Sequence, residues 1–353
     1  MSGSHLSSFS QHVHQTHTGP SCTSSVIASV TVGLDAFIDA QGGQSQEVMA
    51  RAGLLPNLHK QPNRHISLNH YIASMHEAAK STGNEHFGLW FGEQFQPEGL
   101  GAFGFYAMTS GTLRDALAGM QAYFPVFQRN SVLQLDTHQG ICELEYRLLD
   151  GDIMDRRQDA ELTLGMLNNV VKHAMGEQWS PLGVDFQHPA LVDANPHRTA
   201  FCCDVRFQQA RNVIRFRESC LDQPMAKADP MLNGVLVGML QEMASQPLAP
   251  ISMTQRVKSE IIECLPSGDI SIECVAKRLN QPVRSLQRRL KEENSSFKTL
   301  TETVREDLAT YYLNYNTLTV SEIAYRLGYS EVSAFTRAFL RWKGINPTQW
   351  RMT

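Results

Sequence analysis

The sequence predicts two unlike parts: an α+β N-terminal domain of helices plus a small antiparallel sheet, then an all-α domain with two helix-turn-helix units joined by a linker helix. Three observations predict this. Apolar residues recur at helical spacing through the first part and then switch to strand alternation. Near the C-terminus, a short helix, a turn and a longer basic helix occur twice, at an offset of 48 residues. The charge also divides: residues 251–353 hold 15 Lys+Arg against 11 Asp+Glu, leaving 16 against 24 for residues 1–250. A chain of net charge −4 thus separates into a part at −8 and a part at +4, and all 13 histidines fall in the first. A length of 353 residues suits two domains with a core in each.

The opening 25 residues, rich in Ser, His, Gln and Thr, lack apolar periodicity and are expected to form a disordered tail. They lack the apolar stretch of a signal peptide, and no run in the chain approaches membrane-span length, so a cytoplasmic protein is expected. His12, His14 and His17 lie in the tail; without fixed geometry they read as incidental, not as a metal site. Residues 26–226 form the first domain. Leu34, Phe37 and Ile38 share a helical face, Val48 to Leu55 makes a short helix, and Ile66, Leu68, Ile72, Met75 and Ala79 continue the 3,4 spacing. Thr112 caps a helix over Leu113 to Phe127, with Asp115 in its first turn. Val132, Leu133 and Leu135, then Cys142, Leu144 and Tyr146, alternate as strands about a His138-Gln139-Gly140 hairpin loop. Asp155 to Met175 reads as helix, and Val184 to Phe186, Val205 to Phe207 and Val213 to Phe216 as short strands.

Gly99-Leu-Gly101-Ala-Phe-Gly104 matches G-x-G-x-x-G, but it lacks both the preceding strand and the later acid of a dinucleotide site. A tight helix-to-helix turn is the reading adopted. There is no P-loop, H-E-x-x-H or G-x-S-x-G, and no catalytic, metal or cofactor constellation is identified. Seven unpaired cysteines fit a reducing compartment, and Cys202-Cys203 reads as buried structural thiol rather than nucleophile. Phe103, Phe105, Tyr106, Tyr123 and Phe127 form an aromatic-rich stretch that either lines a small-molecule pocket or is plain core. Residues 227–250 are a connecting helix and linker. Met231, Leu232, Val235, Leu236 and Leu240 make an apolar stripe suited to homodimerisation or internal packing, and Pro247 and Pro250 mark the boundary.

In residues 251–353, Ser271 to Leu279 is a short amphipathic helix, Asn280-Gln-Pro282 breaks it, and Val283 to Glu293 follows with Val283, Leu286 and Leu290 on one face. Its other face carries Arg284, Gln287, Arg288 and Lys291. Val275-Ala276-x-x-Leu279 repeats as Ile323-Ala324-x-x-Leu327 at an offset of 48, while Leu286, Arg288 and Leu290 repeat as Phe335, Arg337 and Phe339 at 49. The second unit therefore has a turn one residue longer. Phe297 to Leu313 is a continuous helix between the units, and it could set two reading helices about one DNA turn, roughly 34 Å, apart.

These residues resemble a known family. Residues 253–351, above all Ile323 to Arg351 (IAYRLGYSEVSAFTRAFLRWKGINPTQWR), resemble the DNA-binding domain of AraC/XylS transcription regulators. The first domain resembles the "arabinose-binding" effector domain of the ornithine-utilisation-regulator group. The resemblance rests on Arg51-Ala-Gly-Leu54, His86-Phe-Gly-Leu-x-x-Gly92-Glu93-x-Phe95, Leu149-Asp-Gly-x-x-x-Asp-Arg-Arg-Gln158 and Val184-x-Phe-x-His188-Pro189. It implies an α+β effector domain distantly like the haem-nitric-oxide-binding fold, with no basis for haem; the name does not make arabinose the ligand.

By the same resemblance, base reading falls on Arg284, Gln287 and Arg288, with Ser285 beside them, and in the second unit on Val332, Ser333, Ala334 and Arg337, with Thr336. A bidentate Arg–guanine or Gln–adenine pair is worth about 1–3 kcal/mol of discrimination. Arg289, Lys291, Arg341 and Lys343 are expected phosphate contacts, which position without specifying. Val332, Ser333 and Ala334 are short, so the second unit's reading rests mainly on Arg337. The expected effector-site residues are Phe103, Tyr106, Tyr123 and Phe127. The reading is a small-molecule-responsive regulator of promoter DNA, an activator working with RNA polymerase, its effector unidentified. The rival is a ligand-modifying enzyme with an attached DNA-binding domain.

Overall fold

The computed structural model describes residues 24–191, 193–245, 251–265, 268–314 and 318–352. The expected linker at residues 246–250 and the first 23 residues of the expected tail lie outside this set. The tail expected over residues 1–25 ends sooner, because Ser24 and Ser25 are buried. Ser25 opens β1 (Ser25–Ile27), which pairs antiparallel with β2 (His65–Ser67). That pairing also corrects the helix expected from Ile66. Ile66 lies opposite Val26 in strand register, and the helix α3 (Leu68–Thr82) begins two residues later, where Ser67 Oγ accepts the His70 amide.

Between the paired strands run α1 (Leu34–Ala40) and α2 (Ser45–Arg51). After α3 come α4 (Phe87–Gln94), α5 (Ala102–Thr109) and α6 (Leu113–Phe127). Thr112 and Asp115 close a capping box on α6, as the spacing predicts. The glycine stretch only partly forms the expected turn. Gly101 caps α5 at φ +63°, but Gly104 is inside the helix, where a Cβ would come within 1.8 Å of the Pro97 carbonyl oxygen.

A five-stranded sheet follows: β3 (Ser131–His138), β4 (Ile141–Leu148), β5 (Gly183–Asp185), β6 (Val205–Arg206) and β7 (Asn212–Arg217), in the order β3-β4-β7-β5-β6. Every pairing is antiparallel except β5 with β6. Gln139 and Gly140, both at positive φ, turn the β3–β4 hairpin. The long α7 (Arg157–Met175) packs on this sheet and on α3 and α4, and α8 (Asn195–Phe201) packs beside it. In α9 (Pro230–Ser245) the expected apolar stripe splits: Leu236 and Leu240 are buried in the core, whereas Met231, Leu232 and Val235 are exposed.

The remaining helices are α10 (Met253–Cys264), α11 (Ile272–Arg278), α12 (Val283–Glu292), α13 (Phe297–Asn314), α14 (Val320–Arg326), α15 (Val332–Lys343) and α16 (Pro347–Trp350). They enclose a second hydrophobic cluster, separate from the first, in which Phe335 and Phe339 are fully buried. Each such side chain contributes about 1.5–3 kcal/mol of burial. The expected α+β part followed by a helical part is what the chain folds into. Among the described residues no helix is long and apolar enough to cross a membrane.

Candidate nucleic-acid interface

Two helix pairs, α11 with α12 and α14 with α15, repeat one another in their backbone hydrogen bonds. Ser271 Oγ accepts the Cys274 amide at the start of α11, and Thr319 Oγ1 accepts the Glu322 amide at the start of α14. Each first helix ends on a left-handed residue, Asn280 at φ +52° and Gly328 at φ +72°. The residue after it donates back to the helix alanine: Gln281 to Ala276 at 2.9 Å, Tyr329 to Ala324 at 3.0 Å. Up to this point the equivalent residues differ by 48. At the second helices the interval becomes 49, with Leu286 donating to Pro282 and Phe335 to Glu331. The additional turn residue is therefore real, and it precedes α15.

Each pair is held from beneath by an apolar face. Val275, Ala276, Leu286 and Leu290 are buried in the first, and Ile323, Ala324, Phe335 and Phe339 in the second. The helix α13 lies between the pairs. Its 18 residues span about 27 Å at 1.5 Å each. Arg305 on α13 fixes the second turn, donating from Nε to the Leu327 carbonyl at 2.9 Å and stacking over the Tyr329 ring.

On α12 this leaves Arg284, Gln287, Arg288, Arg289 and Lys291 exposed together, with Ser285 half-buried. Arg288 sits 3.7 Å from Glu292, an exposed pair of the kind that is worth well under ~1 kcal/mol and yields readily to a phosphate or base. On α15, Ser333 and Arg337 are exposed and Val332 and Ala334 half-buried. The Ser333 hydroxyl donates to Glu331 at 3.1 Å, and Thr336 Oγ1 to the Val332 carbonyl at 2.9 Å, so Thr336 is engaged within its own helix. Arg341 is exposed beside Glu302. Lys343 is turned inward: its Nζ lies 2.8 Å from Glu306 of α13 and 5.8 Å from the Trp350 ring centre. That ties α15 to α13.

The four expected effector residues meet as two pairs between α5 and α6 and do not line one cavity. Phe103 and Phe127 stack at 4.7 Å and wall a small core cavity of about 20 Å³ that also touches Tyr71 and Asp159. Tyr106 and Tyr123 pair edge to face away from it, and the Tyr106 hydroxyl donates to the Asp115 carbonyl. A larger cavity, about 80 Å³, opens where the two hydrophobic clusters meet, and sequence reasoning did not single it out. Arg156, Gln187 and His188 line it from the first part and Glu263, Tyr312 and Arg326 from the second. Gln187 donates to Glu263 Oε2 at 2.9 Å across the junction, and burial pushes the Glu263 carboxyl above its usual range. A second feature was also missed, a buried group of Glu161, His188 and His197. The only sequence signal for either was that Arg156, Arg157 and His188 fall in stretches that carry the family resemblance.

A family model described as the arabinose-binding domain of AraC transcription regulator, N-terminal, matches residues 42–225, and one described as a helix-turn-helix domain matches residues 275–353. The chain is similar to the ornithine utilization regulator of Pseudomonas aeruginosa, 25% identical over 315 residues that cover 88% of this chain and 91% of that one. It is similar to the HTH-type transcriptional regulator VirS of Mycobacterium tuberculosis, 27% identical over 316 residues, with 88% and 91% covered. The HTH-type transcriptional regulator VqsM of P. aeruginosa is 24% identical over 300 residues, with 83% and 90% covered. These are DNA-binding regulators and not enzymes, and the first family model alone spans more than half of the sequence: the chain belongs to the AraC family of transcription regulators.

Proposed function

We propose that this regulator reads promoter DNA with both helix pairs at once, placing α12 and α15 in successive major-groove segments on one face of the duplex. The observation that carries this is the bond-for-bond repetition of the two pairs, each with an exposed arginine at the same place on its second helix: Arg288 and Arg337. Arg284, Gln287, Arg288 and Arg337 are assigned to bases, and Arg289, Lys291 and Arg341 to phosphates. A gel-shift titration on the chain's own upstream DNA tests it. Arg288→Ala and Arg337→Ala should each weaken specific binding by about 1–3 kcal/mol and relax preference at one position. Unchanged affinity and preference in both variants would remove the assignment. Arg289→Ala should instead weaken binding to all sequences alike and lower the salt slope by about 1.

We further infer division into an effector-binding domain, residues 26–226, a connecting segment, 227–250, and the DNA-binding domain, 251–353. Family membership supports activation through RNA polymerase. The exposed Met231, Leu232 and Val235 support homodimerisation through α9. For the effector, the junction cavity is the better seat, because a ligand there touches both parts and so can shift one against the other. Thermal-shift screening with amino acids, amines and fatty acids tests ligand binding, since a compound bound only by the folded chain must raise its melting temperature. Turnover of any of them would instead revive a catalytic role.

A further inference from the structure

Glu161 lies on α7, His197 on α8, and His188 on the segment that leads from β5 to α8. All three side chains are buried: Glu161 and His197 at 0% exposure, His188 at 7%. Glu161 Oε1 stands 2.8 Å from His197 Nε2 and 3.5 Å from His188 Nε2, and the three atoms all lie within 4.8 Å of one another. Donors about 2.1 Å from a shared ion stand roughly 3.0–3.4 Å from each other, so the two distances to Glu161 Oε1 are close to those of a ligand set.

The hydrogen bonding within the group is incomplete. The His188 Nδ1 lies 2.9 Å from the Pro189 carbonyl, which can only accept, so the ring proton is on Nδ1. His188 Nε2 therefore presents a lone pair toward an anionic oxygen, and among the described residues it has no hydrogen-bond partner. Two other ring nitrogens nearby share that condition: Nδ1 of His197, and Nδ1 of His86, whose ring packs edge-on against His197. Buried polar atoms without partners are uncommon in native interiors, and a cation shared with Glu161 Oε1 would satisfy the lone pair of His188 Nε2. The Arg157 guanidinium approaches the other carboxylate oxygen, Oε2, at 3.4 Å, which leaves Oε1 to the histidines.

We propose that Glu161, His188 and His197 bind one divalent transition-metal ion of the zinc, cobalt or nickel class. Two imidazoles and one carboxylate are a donor set these ions accept, and they leave further coordination positions open. His188 also lines the junction cavity, which supplies an entry path and lets solvent or a small ligand complete the coordination. The Nδ1–H···O=C bond of His188 is the outer contact that commonly fixes a ligating ring. The Arg157 charge weakens the site relative to one without it, and it favours an ion that can be exchanged.

The test uses the full chain, stripped with chelator, and a His12→Ala/His14→Ala/His17→Ala variant that removes the N-terminal histidines as competing ligands. Zinc or nickel should bind that variant at one equivalent per chain and raise its melting temperature by several degrees at about a hundredfold excess over Kd. His188→Gln should abolish the rise. A wild-type-sized rise in His188→Gln, or none in the parent, overturns the proposal. The third readout does not depend on any site variant folding. Cobalt bound to the tail variant should show ligand-field bands without thiolate charge transfer, and spin-echo modulation of bound copper should report two imidazole nitrogens. Thiolate charge transfer would move the ion to the cysteines, and fewer than two imidazoles would also refute the site.

Discussion

Burial acts on the core histidines and acids in opposite senses, and the sum has a sign. His188 is pushed to about 4 by burial, and His65 to about 4 by burial with the Arg129 charge adding to it. Both take up a proton near 6.5 when unfolded, so over that interval the unfolded chain binds more protons and stability falls as pH falls. Asp159 opposes them. Burial raises it from 3.8 to about 6 against the Tyr146 hydrogen bond and the Arg156 charge, so its contribution is complete below 3.8 and is lost as pH rises through 6. Glu161, depressed from 4.5 to about 2, contributes above 4.5 and loses that only in more acid solution. Two histidines against one aspartate predict a urea midpoint that rises between about pH 4.5 and 6.5. Asp159→Asn should steepen the rise and His65→Gln should flatten it. A midpoint that is level or declines over this range would show that these histidines are not held neutral in the fold.

At the level of elements, the two helix pairs solve the same turn with different residues. Gly328, at φ +72°, has only the flexible end of Ile270, Cδ1, 2.6 Å from where a Cβ would stand, so the cost of Gly328→Ala is mainly backbone strain, about 1–2 kcal/mol. Asn280, at φ +52°, tolerates the same region, and Asn280→Gly should leave stability nearly unchanged. Thr319→Ala removes the hydroxyl half of a capping box, which should cost about 0.5–2 kcal/mol, read as faster amide exchange in α14. Equal exchange in variant and parent would mean the cap contributes nothing. These pairs were legible in the sequence because their signals are local: an apolar triplet that repeats at a fixed offset and a break after the first helix; the Thr319 cap was not read. The helices α4 and α5 were not, because they are apolar nearly all round and carry no period to detect. Nor was β2, three residues long, where Ile66 continues a helical spacing that its pairing with Val26 overrides.

At the scale of the whole molecule, the N-terminal part meets the C-terminal helices through long-range contacts that periodicity cannot show. The stretch Leu149 to Gln158 was recognisable as a family feature, but its place became clear only in three dimensions. Asp152 binds Lys258 Nζ at 2.6 Å and Gln255 at 3.2 Å, the Leu148 carbonyl accepts from Ser259 Oγ at 3.3 Å, and Met154 packs on the second hydrophobic cluster. Gly151 is what lets α10 come so near. A Cβ there would lie 2.2 Å from Lys258 Cβ, 2.7 Å from the Ser259 nitrogen and 2.8 Å from the Gln255 oxygen, two of them backbone atoms that cannot swing aside. Gly151→Val should therefore disturb this contact with less effect on the two cores, at about 1–3 kcal/mol of overpacking relieved by separation. The variant should show a larger radius of gyration in solution scattering, keep its affinity for DNA, and lose any change in that affinity brought about by a bound effector or metal. Should radius and ligand response both match the parent, the coupling does not pass through this contact. Loss of DNA binding itself would instead show that the reader depends on the junction for its own fold.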